Sequence, residues 1–330
     1  MQTISYAQAI VDALHSCMAE DPRVTLIGSA VLGLGPQRVL MERIRGDFPN
    51  RVIDPPCAEA AVMSIGTGAA MAGARPFLAI GTATFTYVGW SPLINEAAVA
   101  HHMSGGQIRV PMVVHMLHGI RGGGAAQHSG SPQAMLWNAP GLEIVTASTP
   151  YDIKGLLRTA IRSDNPTVVL DHPKLLASEG PVPKENYEIP FGLADIKRAG
   201  RDVTVVATSW MVRVAMVAAE QLAAEGIEVE VVDPRTLVPL DHATILASVA
   251  RTGRLVVADE TNLSCGVASE IAAIVADKGF DSLRAPIVRV ARPDVPMPFS
   301  PSLEAELTPA PKHVVAAVRR VMQFGLVRPT

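Results

Sequence analysis

Short apolar runs alternate with segments of helical spacing along this 330-residue chain, and the alternation occurs twice. In the first half, "RVTLIGS" (23–29), "RPFLAIGT" (75–82), "VPMVVHML" (110–117) and "PTVVLDH" (166–172) are near-continuous in Val, Ile and Leu. Strands that show apolar side chains in both directions are strands buried on both faces. Between them, "AEAAVMSIGTGAAMAG" (58–73), "SPLINEAAVAHHM" (91–103) and "TPYDIKGLLRTAIRS" (149–163) have helical spacing. The last opens with Thr149 as N-cap and Pro150 just inside. This is the pattern of a parallel sheet with helices over both faces.

Residues 173–198, "PKLLASEGPVPKENYEIPFGLADIKR", break the rhythm with prolines, glycines and mixed charge, and read as a linker. A second alternation follows: "DVTVVATS" (202–209), "VRVAMVAAEQLAAEG" (212–226), "IEVEVVD" (227–233), "TILASVART" (244–252), "RLVVADE" (254–260), "ASEIAAIVADKG" (268–279), "APIVRVA" (285–291) and a closing helix near 311–323. The expected fold is α/β, two three-layer αβα domains, with a first domain over 1–180, a linker over 181–200 and a second domain over 201–330. Aromatics are only 4% of a chain that is 48% hydrophobic. Ala and Gly must therefore fill much of the interior, which suits helices packed closely on sheets.

The net charge of −3 gives no field for nucleic acid, and no Lys/Arg-rich run makes one locally. Cys17, Cys57 and Cys265 lie far apart and form no CxxC pair, so they read as reduced thiols of a cytoplasmic protein. The first residues, "MQTISYAQAIVDALHSCMAEDP", form an acid-bearing amphipathic helix and not a signal peptide. Between Arg75 and Glu96 lie twenty uncharged residues, long enough to span a bilayer. They include Pro76, Pro92 and two glycines, so strand, loop and helix start is the better reading, and no membrane segment is expected.

"IRGGGAAQHSGSP" (120–132) carries four glycines and His128. It matches neither GxxxxGK[ST] nor GxGxxG, so it is no phosphate cradle. Its place after a strand, at the carboxyl end of a parallel sheet, is where such folds bind ligands. From the residues alone, a mobile loop with an incidental histidine and a loop that holds an imidazole over a ligand both remain open. "GTGAAMAG" (66–73) falls inside a helix, where its glycines read as close-packing positions. In "VIDPPCAEAAVMSIG" (52–66), Glu59 starts a helix, and an acid in the first turn is favoured by the helix dipole. Its small apolar neighbours Cys57, Ala58, Ala60, Ala61 and Val62 also allow a carboxyl in a dry pocket, able to share a proton. Both readings stay open. His101 and His102 end a helix, and His115 on a strand reads as a satisfied core residue. No His/Asp/Glu set has metal-ligand spacing, and no GDG occurs in the chain.

Four stretches together, "HMSGGQIRVPMVV" (102–114), "AAQHSGSPQAMLWNAPGLEIVTASTPYDIKGLLRTAIRSDNP" (125–166), "DPRTLVPLDHATILASVARTGRLVVADE" (233–260) and "RPDVPMPFSPSLE" (292–304), resemble the β subunit of thiamine-diphosphate-dependent 2-oxoacid dehydrogenases, a group with pyruvate, branched-chain and acetoin members. The resemblance covers nearly the whole chain. It implies a pyrimidine-binding domain followed by a transketolase C-terminal-like domain. It also implies an α subunit in an α2β2 heterotetramer, supplying the Mg2+ and diphosphate ligands. Glu59 falls on the family's activating glutamate, which hydrogen-bonds the cofactor's aminopyrimidine ring and drives formation of the ylide. Phe85 falls on the aromatic beside that ring and Cys57 on the pocket lining. His128 falls on the loop histidine that serves acyl transfer to lipoamide on a lipoyl acyltransferase core. Backbone carbonyls of Met112, Ala160, Ser163 and Asn165 fall on a monovalent-cation (K+) site.

The sequence also departs from the family. Where an acidic pair follows the first strand's glycine, this chain has Ser29 and Ala30, and "AIGTATF" (79–85) loses another acid. These changes put a proton relay between paired sites in doubt and leave the role of Glu59 standing. The expectation is a β subunit that decarboxylates or cleaves a small 2-oxo substrate. The alternatives are a carboligase or transketolase-like enzyme without a lipoyl partner, and a non-catalytic scaffold or regulatory subunit.

Overall fold

The computed structural model describes residues 1–28, 32 and 35–324; Ser29 and Ala30 lie outside the described residues. In chain order the elements are β1 (Gln2–Ser5), α1 (Tyr6–Glu20), β2 (Val24–Ile27), α2 (Glu42–Asp47), β3 (Val52–Ile53), α3 (Glu59–Met71), β4 (Arg75–Thr82), α4 (Ala100–Met103), β5 (Val113–Leu117), α5 (Ala125–His128), α6 (Gln133–Trp137), β6 (Glu143–Val145), α7 (Pro150–Arg162), β7 (Thr167–Asp171) and β8 (Glu179–Val182). They continue with β9 (Asp195–Arg198), β10 (Val203–Ala207), α8 (Trp210–Ala223), β11 (Val229–Asp233), β12 (Thr236–Val238), α9 (His242–Thr252), β13 (Leu255–Asn262), α10 (Val267–Lys278), β14 (Val288–Arg292), α11 (Pro301–Leu307) and α12 (Pro311–Gln323). The chain divides into two compact units. One holds Met1–His118, Met135–Phe191 and Leu237–Pro239; the other holds Gly119–Ala134, Gly192–Thr236 and the chain from Leu240 onward.

The first unit is built on a seven-stranded sheet of order β12-β6-β7-β5-β4-β2-β3. The β6/β7, β7/β5, β5/β4, β4/β2 and β2/β3 pairs are all parallel. Its central strands are almost entirely buried, which is why β4, β5 and β7 read as near-continuous apolar runs. Alternation along each strand sends neighbouring side chains to opposite faces. Leu78 meets α3 at Gly66, where an added Cβ would lie 2.5 Å from a Leu78 methyl. The other face carries Phe77, His115 and Asp171 toward α1. Tyr6 at the start of α1 donates its hydroxyl to Asp171 Oδ1, while His115 Nε2 lies 2.7 Å from Asp171 Oδ2. His115 is a core residue stacked on Phe77 at 5.5 Å between ring centroids, with Nε2 paired to Asp171 and the buried Nδ1 left without a hydrogen-bond partner among the described residues. Helices α1 and α7 start on Ser5 and Thr149, whose side chains accept from Gln8 N and Asp152 N. The nearly buried Arg158 of α7 then reaches Glu20 at 3.0 Å and Ser16 at 2.6 Å on α1.

The second unit carries a five-stranded sheet of order β14-β13-β10-β11-β9, parallel except for the antiparallel edge strand β9. Val203, Val205, Val231, Val256 and Ala258 face α8 and α12 in one core. Thr204 points the other way, with its Oγ1 at 2.7 Å from Ser248 and 2.8 Å from Thr252 on α9. Both units are thus three-layer αβα sandwiches, as the alternation predicts.

Three readings change. The opening residues are not all helix, since Gln2–Ser5 form β1 before α1 begins at Tyr6. The segment 91–103 is not one helix. It is a widened turn over Pro92–Ala97, closed by a bond from Ala98 N to Leu93 O at 3.0 Å, followed by the short α4. Within 173–198 lie two strands: β8 pairs antiparallel with β1, and β9 extends the second sheet. Both are edge strands, short and polar ("EGPV", "DIKR"), so a search for apolar runs passes over them.

Candidate active site

Parallel α/β sheets bind ligands beyond the carboxyl ends of their strands, and the first unit gathers three of the expected residues there. After β3 the chain turns through Pro55, Pro56 and Cys57 into α3, whose first residue is Glu59. The helix is capped by Ala58 with no side-chain bond, so the positive end of its dipole is left for an acceptor group. After β4, Phe85 lies in a tight 3₁₀ turn over Ala83–Tyr87. Gly89, just beyond, brings that turn onto the start of α3: an added Cβ would sit 3.3 Å from the Glu59 carbonyl oxygen. Glu59 and Phe85 are half-buried, whereas Cys57, Ala58 and Ala61 are exposed. The dry pocket read from these small neighbours is therefore not closed by this chain. The described residues build one wall, and the flank at Cys57 and Ala61 is open.

The outward face of α3 continues that opening. Ala61, Ser64, Ile65, Gly68 and Met71 recur at helical spacing and are exposed, Ile65 by 56%. Gly68 has nothing within 4 Å of an added Cβ, unlike Gly66 two residues away, so only one of the two helix glycines is a close-packing position within this chain.

His128 belongs to the second unit. Its segment is wound tightly: Gly119, Gly122, Gly123 and Ala125 all take positive φ, the last at 51° despite its Cβ. Gly124 permits the winding, since an added Cβ would lie 2.5 Å from Ser129 Oγ. The short helix α5 then ends on an exposed His128. Ile120 N donates to Glu260, Gly123 N donates to Glu304 Oε2 at 3.1 Å, and Arg292 Nη1 donates to the Ser129 carbonyl at 2.8 Å. Sequence reasoning did not single out Glu260, Arg292 or Glu304. They stood at the ends of the quoted segments 233–260 and 292–304, where a charge closing an apolar strand was the available signal.

The four carbonyls expected for a monovalent cation come from neighbouring pieces of the first unit, where β5 starts beside β7 and α7 ends. Each already accepts from the chain: Met112 O from Thr167 N at 2.9 Å, Ala160 O from Ser163 N at 3.3 Å, Ser163 O from Arg75 Nη1 at 2.8 Å and Asn165 O from Thr167 Oγ1 at 3.5 Å. Arg75 also reaches Ile161 O at 3.2 Å and Asp164 Oδ1 at 2.5 Å, so a guanidinium supplies positive charge at the helix's negative end. Each of the four oxygens accepts one bond and keeps a second lone pair, and the Arg75 guanidinium already sits against the Ser163 carbonyl. Among the described residues no group of three or more His, Cys, Asp or Glu can hold a metal, and no helix is long and apolar enough to cross a membrane.

Two parallel-sheet units with a carboxyl and an aromatic ring at the end of the first sheet define a transketolase-type α/β protein. The comparisons agree. Residues 2–178 match the family model of the transketolase pyrimidine-binding domain, and residues 192–314 match that of the transketolase C-terminal domain. The chain is 40% identical to the β subunit of acetoin:2,6-dichlorophenolindophenol oxidoreductase of Cupriavidus necator, over 98% of each chain. It is 39% identical to the pyruvate dehydrogenase E1 β subunit of Rickettsia conorii, over 98% of this chain and 99% of that one. A solved chain described as a split-gene transketolase, inactive β4 tetramer, shares the fold with a TM-score of 0.79 at 23% identity, over 97% and 98% of the two chains. The chain belongs to the family of β subunits of thiamine-dependent acetoin and 2-oxoacid dehydrogenase E1 components.

Proposed function

We propose that this chain, with an α subunit in an α2β2 assembly, forms a thiamine-diphosphate-dependent dehydrogenase of acetoin or a small 2-oxoacid, active in the cytoplasm. The observation that carries the reading is the open half-site on the first unit: half-buried Glu59 at the uncapped start of α3, Phe85 in the adjoining turn, and an exposed flank at Cys57 and Ala61. A flat heteroaromatic ring suits such a place, with a face for the phenyl ring and a hydrogen-bonding edge for the carboxyl. The diphosphate and Mg2+ would be held by the α chain. Bound there, thiamine diphosphate supplies the electron sink for breaking the carbon–carbon bond beside the substrate carbonyl.

This chain's residues bind, orient and move protons. Glu59 would hydrogen-bond a pyrimidine ring nitrogen and hold a proton there, and Phe85 would pack beside the ring. Once a partner covers the Cys57 flank, water leaves and the carboxyl's hydrogen bond strengthens in the drier surroundings. His128 would supply a proton for acyl transfer to a lipoyl arm of an acyltransferase core. The test is co-expression with an α-type subunit and a screen of acetoin, pyruvate and branched-chain 2-oxoacids against an artificial electron acceptor. Turnover is expected with both chains and not with this one alone. Equal turnover by the single chain contradicts the reading, and carbon–carbon ligation without acceptor reduction points to a carboligase.

A further inference from the structure

The second sheet has a ligand position of its own. Its strand order reverses between β10 and β13, and the crevice outside the carboxyl ends at such a reversal is the place where sheets of this kind take a ligand. Here the neighbouring strand ends are occupied by the chain itself. Glu260, near the end of β13, accepts from Ile120 N; Arg292, the last residue of β14, donates to the Ser129 carbonyl; and Glu304 of α11 accepts from Gly123 N. The three contacts fall on both sides of His128 and span a segment of ten residues, Ile120 to Ser129.

We infer that Arg292, Glu260 and Glu304 are positioning residues for His128, and that the second unit serves to hold this segment in one conformation. The inference rests on the role proposed above for His128. Three features support it beyond the contacts themselves. Arg292 is itself oriented, its Nε donating to Asn262 Oδ1 at 2.6 Å, so one guanidinium ties β13 to the segment. Glu260 and Glu304 are nearly buried, with exposures of 2% and 7%, and a carboxylate withdrawn from water bonds a backbone N–H strongly. Ala125 holds a positive φ only three residues before His128, a conformation that persists where the surroundings over-determine it. Four glycines in thirteen residues make the free segment floppy, and the charged clamp removes that freedom, leaving His128 at the end of a fixed turn.

The test uses the assembled enzyme with Arg292→Gln, Arg292→Lys and Glu304→Ala, and His128→Gln as control. Hydrogen exchange is read over 119–130, with lipoamide as acyl acceptor and 2,6-dichlorophenolindophenol as electron acceptor. Arg292→Gln and Glu304→Ala are expected to speed exchange over 119–130 while β10 and β11 stay protected. They are expected to lower kcat for lipoamide by about tenfold or more with KM little changed, against about a twofold change in dye reduction. Lysine, which cannot bridge Asn262 and Ser129 in the same way, is expected to restore part of both. Unchanged exchange over 119–130, or equal losses with lipoamide and dye, overturns the inference. If exchange rises but His128→Gln leaves lipoamide transfer intact, the role of His128 fails while the anchoring stands.

Discussion

Replacing Tyr6 by Phe removes one oxygen and leaves the ring, so it isolates the hydrogen bond that ties α1 to the first sheet. That hydroxyl donates to Asp171 Oδ1 and lies 3.3 Å from the Ala147 carbonyl, with Tyr6, Asp171 and His115 all at 0% exposure. A hydrogen bond to a charged group contributes about 1.5–3 kcal/mol, and the three side chains here are fully withdrawn from the surface. Asp171 keeps its 2.7 Å contact to His115, so the loss is not that of a fully abandoned carboxylate. Tyr6→Phe should then lower local stability by about 2 kcal/mol, roughly a 30-fold change in the opening equilibrium. Hydrogen exchange of β5 and β7 amides measures this without treating a two-unit chain as a single transition. The double variant with Asp171→Ala should be non-additive, because both changes remove the same bond. A loss below about 0.5 kcal/mol, or strict additivity, refutes the assignment of this triad as a structural unit.

Cys17 is buried, and burial pushes its thiol up to about 11, so in the isolated chain a maleimide at neutral pH should label the exposed Cys57 and Cys265 and spare Cys17; adding the α subunit and cofactor should protect Cys57 alone. Gly68→Ala should stabilise the isolated chain by roughly 0.5–1 kcal/mol, since its Cβ meets nothing, whereas Gly66→Ala should destabilise by roughly 1–2 kcal/mol because Leu78 must move; melting of both variants checks the contrast. The hydrogen bond from Arg75, then that from Arg109, holds the Asp164 carboxyl below its usual range. A lowered carboxyl favours the fold above its unfolded value of about 3.9 and loses that contribution as pH falls through the folded value. Asp164→Asn should therefore flatten the acid side of a melting-temperature profile below about pH 4, and an unchanged slope there contradicts the assignment.

The sequence carried the central strands plainly because burial on both faces writes itself as near-continuous apolar runs, as in β4, β5, β7, β10, β11 and the first half of β13. The edge strands β1, β8 and β9 left no such mark. Thr149 and Pro150 gave the start of α7 correctly because capping is local chemistry. Tyr6 and Asp171 meet across 165 residues, and nothing local announces such a pair. The same limit applies to the candidate site. Glu59 could be placed at a helix start, but its small neighbours left a dry pocket and a plain helix start both open, and Cys57, Ala58 and Ala61 are exposed. The glycines of 120–132 read as mobility, and the groups that fix them come from positions 260, 292 and 304.

The central claim is that Glu59 activates a thiamine cofactor on an assembled enzyme, and exchange of the cofactor's C2 proton for deuterium reads that step before any substrate is added. With the α subunit and Mg2+ present, Glu59→Gln should slow the exchange by about 10²–10⁴-fold with the cofactor still bound, the range expected for losing a positioned proton-transfer group. Exchange within about threefold of the unsubstituted enzyme would contradict the account.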